Sequence, residues 1–235
     1  MQRIHQATLS LGNQAYQELK RIILERQIPP GGKLNEGDLA KALGISRTPI
    51  REAINRLEKE GLVKIIPQRG AFVVQFTEKD VFELFLIREN LEGLAAYLAA
   101  TKMSEKDLAK LESAVDGFAE PFDEKEIRRY AREDFKFHQA VVQFSEAQRL
   151  ISLISTLHDY IRIFRLTTVG VSGRMKTSLD EHRHLLEAFR QRNSEVAERR
   201  MREHIRHVRD GVMENIGFFL NGEGKELLQT KEEEK

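Results

Sequence analysis

From Thr77 to about residue 220, apolar side chains recur every three to four positions with few interruptions, and this sustained helical period is what most restricts the folds open to the 235-residue chain. The main breaks are Pro121 and the Gly170–Gly173 stretch. Around them the pattern predicts six helices, at 78–101, 104–118, 123–145, 147–168, 174–192 and 194–220. About 145 residues of helix alone imply a bundle, and bundles build their ligand sites from side chains that point inward. The polar residues on apolar stripes are therefore the ones to find.

On the third of these helices Ile127, Tyr130, Ala131, Val141 and Val142 define one face. Asp134 and His138 fall within about 20° of its centre at 100° per residue. On the fifth, Met175, Leu179, Leu186 and Phe189 set the stripe; His182 lies on it and His184 points away. On the sixth, Ala197, Met201, Val208, Val212 and Phe219 set it, with His204 near its edge and His207 well outside. Asp134, His138, His182 and His204 thus converge from three helices. Any one of these histidines is more often a hydrogen-bonded core residue than a ligand, and an Asp–His pair one turn apart can be only a buried hydrogen bond. Four inward groups together shift the balance, because buried carboxylates and imidazoles are costly unless paired or metal-bound. The chain has no cysteine, which excludes a disulfide scaffold, thiolate-held zinc or iron–sulfur clusters, and thiol catalysis, and leaves metal binding to His and carboxylates. Three imidazoles and one carboxylate suit a divalent ion, zinc or nickel foremost, with manganese or iron(II) as alternatives.

The first third has a different texture. Residues 1–76 hold 12 Lys+Arg against 7 Asp+Glu, a net +5, while the remainder is net −4; the whole-chain charge of +1 averages two opposed parts. Its elements are short and punctuated by Pro29-Pro30-Gly31-Gly32, Gly44, Gly61, Pro67 and Gly70. Ala15, Leu19, Ile22 and Ile23 predict a helix over about 13–27. Asn35 reads as the N-cap of a second helix, with Leu39 and Leu43 inward, and Gly44 turns the chain. Ser46 reads as the N-cap of a third, to about Glu60, with Pro49 in its first turn, where the missing N–H costs nothing. Its apolar face is Ile50, Ala53, Ile54 and Leu57; its polar face is Arg47, Arg51 and Asn55, with Thr48 beside them. Leu62–Ile66, a Pro67–Gly70 turn and Ala71–Val74 predict a hairpin with a basic tip.

Three helices and a hairpin describe a winged helix-turn-helix, whose second motif helix can enter the major groove and present arginine to guanine O6 and N7. Two arginines alone would favour an ordinary solvated helix face. The turn glycine, the cap, the basic hairpin and the net +5 favour double-stranded DNA, with Arg47, Thr48, Arg51 and Asn55 on the reading helix and Arg69 and Gly70 in the wing.

These residues also carry a resemblance. Leu34-Asn35-Glu36-Gly37-Asp38-Leu39-Ala40, Leu43 through Ala53, Leu57-Glu58-Lys59-Glu60-Gly61-Leu62-Val63 and Arg69-Gly70-Ala71-Phe72-Val73 closely resemble the N-terminal domain of GntR-family transcriptional regulators. The likeness implies base or phosphate contacts for Arg47, Thr48, Arg51 and Gly70; where some members carry a basic residue at the start of the second helix, this chain has Gly37. Further on, Glu133–His138, Glu181–Ala188 and Met201–Ile205 look like the three motifs of the FCD effector domain of the FadR subfamily. Many such domains bind a divalent metal through one Asp and three His, and the matching positions are Asp134, His138, His182 and His204. Leu86–Glu92 resembles the Arg-x-x-x-Glu segment that opens the domain. Arg88, on a face with Val81, Phe85, Leu91 and Ala95, then either binds a carboxylate effector through its guanidinium fork or simply pairs with Glu92 at i+4. Asn215 is a further effector-pocket candidate.

The expectation is a mainly α protein: a winged helix-turn-helix over 1–76, an all-helical FCD-type bundle for metal, effector and dimerisation over 77–224, and a charged tail over 225–235. It reads as a ligand-responsive regulator, a repressor by family analogy, acting as a homodimer on an operator and answering to a small organic acid, and not as an enzyme. The rivals are a metalloenzyme using the three-His, one-Asp site and a regulator whose metal is purely structural. No window approaches the roughly 20 apolar residues of a membrane span, so a cytoplasmic location is expected.

Overall fold

The computed structural model describes residues 10–120, 122–169 and 174–220, and its chain divides into two compact units, Met1–Phe76 and Thr77–Lys235. The expected tail over 225–235 and the breaks at Pro121 and Gly170–Gly173 lie outside the described residues, as does the Phe219 side chain.

In the first unit α1 (Leu11–Leu24) begins at Ser10, whose hydroxyl accepts from the Asn13 amide, somewhat before the expected start. It packs on α3 through Leu19 and Ile23; Tyr16 donates to Glu60 at 2.8 Å, and the Arg56 guanidinium lies 3.7 Å from the Tyr16 ring centroid. A two-residue strand β1 (Lys33–Leu34), too short to leave a periodic signature, was not anticipated. In α2 (Glu36–Leu43), Asn35 caps the Gly37 and Asp38 amides as expected, but Ala40 is the buried residue, and Leu39 and Leu43 are only half-buried. Gly44 closes this helix in the left-handed region, at φ 65°, where a side chain would be strained. α3 (Arg47–Lys59) buries Ile50, Ala53, Ile54 and Leu57. Ser46 is its N-cap, as expected, though the Ser46 side chain makes no cap bond. β2 (Val63–Ile66) and β3 (Gly70–Val73) form the hairpin, and β1 pairs antiparallel with β3, giving the order β1-β3-β2.

The second unit is helical throughout its described residues: α4 (Glu78–Ala99), α5 (Glu105–Asp116), α6 (Glu124–Phe144), α7 (Gln148–Val169), α8 (Arg174–Arg190), α9 (Ser194–Glu214) and α10 (Ile216–Leu220). The expected last helix is thus divided at Asn215. α4 starts in a capping box, with Thr77 and Asp80 satisfying each other's amides. It packs against α9, α6 and α7, and Ala95, Val142, Leu150 and Ile154 form a buried cluster there. No described helix is long and apolar enough to cross a membrane.

Candidate functional site

Asp134 and His138 on α6, His182 on α8 and His204 on α9 are all buried, and one ligand atom from each lies within 4.8 Å of the others. The stripes explain this: each helix turns these residues toward the interior with its apolar neighbours, such as Val141, Leu179 and Met201. His204, expected near an edge, is as buried as the rest, whereas His184 and His207 are exposed.

The outward hydrogen bonds decide which ring nitrogen faces the centre. His138 Nδ1 lies 2.6 Å from Glu92 Oε2, and His204 Nδ1 lies 2.7 Å from Glu181 Oε2. Burial pushes the Glu92 carboxyl up, but the Arg88 guanidinium, 2.8 Å away, and His138 outweigh it and hold the group well below the usual range. Burial of Glu181 is likewise outweighed by its bonds to His204 and Arg174. An ionised carboxylate can only accept, so both Nδ1 atoms donate, and in a neutral ring that tautomer leaves the lone pair on Nε2. Those Nε2 atoms face each other at 3.2 Å. Two lone pairs so placed repel unless a proton or a cation intervenes, and burial makes a proton costly by pushing His204 down to about 4.

The third imidazole is held by a different partner. His182 Nδ1 lies 3.4 Å from the Tyr130 hydroxyl, which itself donates to Ser178 Oγ at 2.7 Å. Phe137 stacks on the His182 ring at 4.2 Å between centroids. His182 Nε2 is buried and has no hydrogen-bond partner among the described residues; Asp134 Oδ1 stands 3.7 Å from it and from His138 Nε2. Leaving such an atom unsatisfied is costly. Three inward lone pairs, one of them orphaned, beside a carboxylate oxygen form a donor set that can hold a divalent metal.

Two family profiles match the chain: the FCD domain over residues 83–207, and the gntR family of bacterial regulatory proteins over residues 11–73. The chain belongs to the GntR family, with an FCD domain. Among curated relatives of this GntR-family regulator, it is 34% identical to the uncharacterised HTH-type transcriptional regulator YdhC of Bacillus subtilis, over 86% of this chain and 94% of that one. It is 27% identical to the HTH-type transcriptional repressor RspR of Escherichia coli, over 90% and 95%. Its fold matches the solved structure of E. coli McbR/YncC with a TM-score of 0.69 at 21% identity, covering 92% of this chain and all of the other.

In this GntR-family chain, Arg47, Thr48, Arg51 and Asn55 share the exposed face of α3, and Arg69 and Gly70 sit exposed at the hairpin turn. Gly70 takes φ 107°, a conformation that excludes most side chains. Of the two readings open for Arg88, the structure displays the pairing with Glu92, and both side chains are buried. Asn215 is exposed at the C-cap of α9 and donates to the Gly211 carbonyl, about 16 Å along the helix from His204 at 1.5 Å per residue. Missed as functional were Glu92, Glu181, Tyr130 and Ser178, which orient the imidazoles. A partial signal existed, since Tyr130 and Ser178 each precede a quartet residue by four positions; Glu92 was legible as the i+4 partner of Arg88, but its bond to His138 on another helix was not.

Proposed function

We propose that this regulator binds its operator as a homodimer through Arg47, Thr48, Arg51, Asn55, Arg69 and Gly70, holds a divalent metal with Asp134, His138, His182 and His204, and answers to a small carboxylate. The observation that carries the sensor half is the inward convergence of three imidazole Nε2 atoms on Asp134. When bound, the ion supplies a Lewis-acidic position for a ligand oxygen. Glu92 and Glu181 keep two rings in the donating tautomer, and Tyr130 aligns the third. Charge favours an anion as the effector: Glu92 has Arg88 and Glu181 has Arg174, so a divalent ion beside Asp134 carries one positive charge more than that carboxylate balances. Zinc and nickel suit this imidazole-rich set, and manganese or iron(II) are alternatives.

Dimerisation is supported by α4. Phe82, Leu86, Ile87, Leu94 and Tyr97, five of the seven exposed large hydrophobics among the described residues, lie within about 140° of arc on that helix. Effector binding acts by its unequal affinity for two arrangements of the regulator, one competent for the operator. Release of a repressor is the expected direction, in keeping with the relative named a repressor.

The deciding experiment is metal analysis of the purified protein, followed by operator titrations with and without chelator and with a panel of small carboxylates. About one metal per chain and a carboxylate-dependent change in operator affinity are expected. A second reading, a structural metal only, is favoured by the complete burial of a four-ligand set, since structural zinc sites are closed. It predicts that chelation melts the helical unit while carboxylates leave operator affinity unchanged.

A further inference from the structure

The DNA-facing arginines do not project freely from α3; the first turn of α2 meets both of them. Arg51 is 62% exposed, yet its Nε is bonded to Glu36 Oε2 at 2.6 Å. A carboxylate on Nε leaves the two terminal nitrogens of this exposed guanidinium for another acceptor, and such a pair can make a bidentate contact to guanine O6 and N7. Next in sequence, Gly37 gives Arg47 its seat. A Cβ built at Gly37 would stand 3.3 Å from Arg47 Nη2 and 3.7 Å from Cζ, so a side chain there crowds the guanidinium and makes it shift.

We propose that Glu36 and Gly37 are specificity-determining positioning residues: Glu36 tethers Arg51 by one edge for base reading, and Gly37 admits Arg47 against α2. An acidic residue facing a polyanion is otherwise a liability, because its charge opposes every phosphate near it. It is useful there when it fixes a neighbouring guanidinium before binding, so that less side-chain freedom is lost on the DNA. Glu36 also lies in the first turn of α2, where a negative charge favours the helix dipole, and the test has to separate that structural contribution from positioning.

This inference rests on the DNA-binding reading, and the experiment distinguishes the two. The full-length protein selects from a randomised double-stranded oligonucleotide pool, and affinities for the selected sequence and its single-base variants are compared for wild type, Glu36→Gln, Arg51→Lys, the double variant and Gly37→Leu. In Glu36→Gln, discrimination at one guanine position falls about threefold to tenfold, the scale of ordering one long side chain, while affinity for unselected DNA stays level or rises. In the Arg51→Lys background the same change has no further effect, because lysine has no fork to orient. Gly37→Leu alters preference at a different position, the one read by Arg47. Undiminished discrimination in Glu36→Gln overturns the proposal. So does an equal loss of specific and unselected binding with a lowered melting temperature, which marks a purely structural role. Failure of the wild type to enrich any sequence overturns the DNA-binding reading, and the proposal with it.

Discussion

Replacing Glu92 by Gln changes one buried charge and almost no volume, and it addresses the link between α4 and the candidate metal site. Glu92 accepts from Arg88 Nε at 2.8 Å and from His138 Nδ1 at 2.6 Å, with both partners buried. Two effects follow, and they are read separately. Removing the carboxylate leaves the Arg88 guanidinium buried without its counter-charge, which costs about 3–5 kcal/mol when one partner of such a pair is lost. For a unit of this size that lowers the melting temperature of the metal-free protein by roughly 6 to 20 °C. The second effect is on the ring. A neutral amide no longer holds His138 Nδ1–H as an ionised acceptor does, so the lone pair on Nε2 is less well fixed, and losing such an outer partner weakens metal affinity about tenfold to a hundredfold. The assay is competition for Zn2+ or Co2+ against a chelator of known affinity, beside a denaturation curve of the metal-free protein. Arg88→Met is the control, because it destabilises the fold but leaves the carboxylate on His138, and metal affinity there stays within a few-fold of wild type. Metal affinity of Glu92→Gln within twofold of wild type, despite a lowered melting temperature, would refute the reasoning and reduce Glu92 to a counter-ion for Arg88.

Other predictions follow from the same geometry. His182→Ala with His204→Ala removes two of the four donors, and elemental analysis should then find the metal lost while wild type retains about one per chain; full occupancy contradicts the ligand set. Adding metal at about a hundred times its dissociation constant should stabilise the wild-type protein by about 2.7 kcal/mol, visible as a rise in melting temperature that this double variant lacks. Arg47→Ala and Arg51→Ala should each weaken operator binding without changing metal content, by about 1–3 kcal/mol where a base edge is lost. If the contact is instead to phosphate, the slope of log affinity against log salt falls by about one. Thr77→Ala opens the α4 capping box and should cost about 1 kcal/mol at neutral pH. Its hydrogen bonds to Thr77 hold the Asp80 carboxyl below its ordinary value, so the cap contributes fully above the unfolded-state value and is lost as pH falls through the lowered one. Denaturant titrations of the mutant and wild type across that range should converge at low pH.

Most of the secondary structure could be read from local pattern. The first five helices of the second unit were expected to within a few residues, because each has an apolar stripe long enough to measure and several have a capping residue such as Thr77 or Asp123 at the start. What was misjudged lay at scales where the pattern carries little information. β1 has two residues and exists only because β3 offers it a partner. Asn215 continues the helical register in sequence, yet it marks where α9 ends.

The quartet shows where the division falls. That Asp134, His138, His182 and His204 face inward was decided by their place in the 3.6-residue period, a local property each helix carries whatever it packs against. So was the exposed face of Arg47, Thr48, Arg51 and Asn55. Which nitrogen each imidazole turns inward was not, because the tautomer is set by what lies behind the ring: Glu92 on α4 for His138, Glu181 on α8 for His204, and Tyr130 on α6 for His182. Arg88 was ambiguous for the same reason, and Glu36 was mute, because its partner Arg51 lies fifteen residues away on another helix. Periodicity reports the side of a helix that loses water. Only packing brings together the charges and hydrogen bonds that give a buried polar group its protonation state, and with it its chemistry.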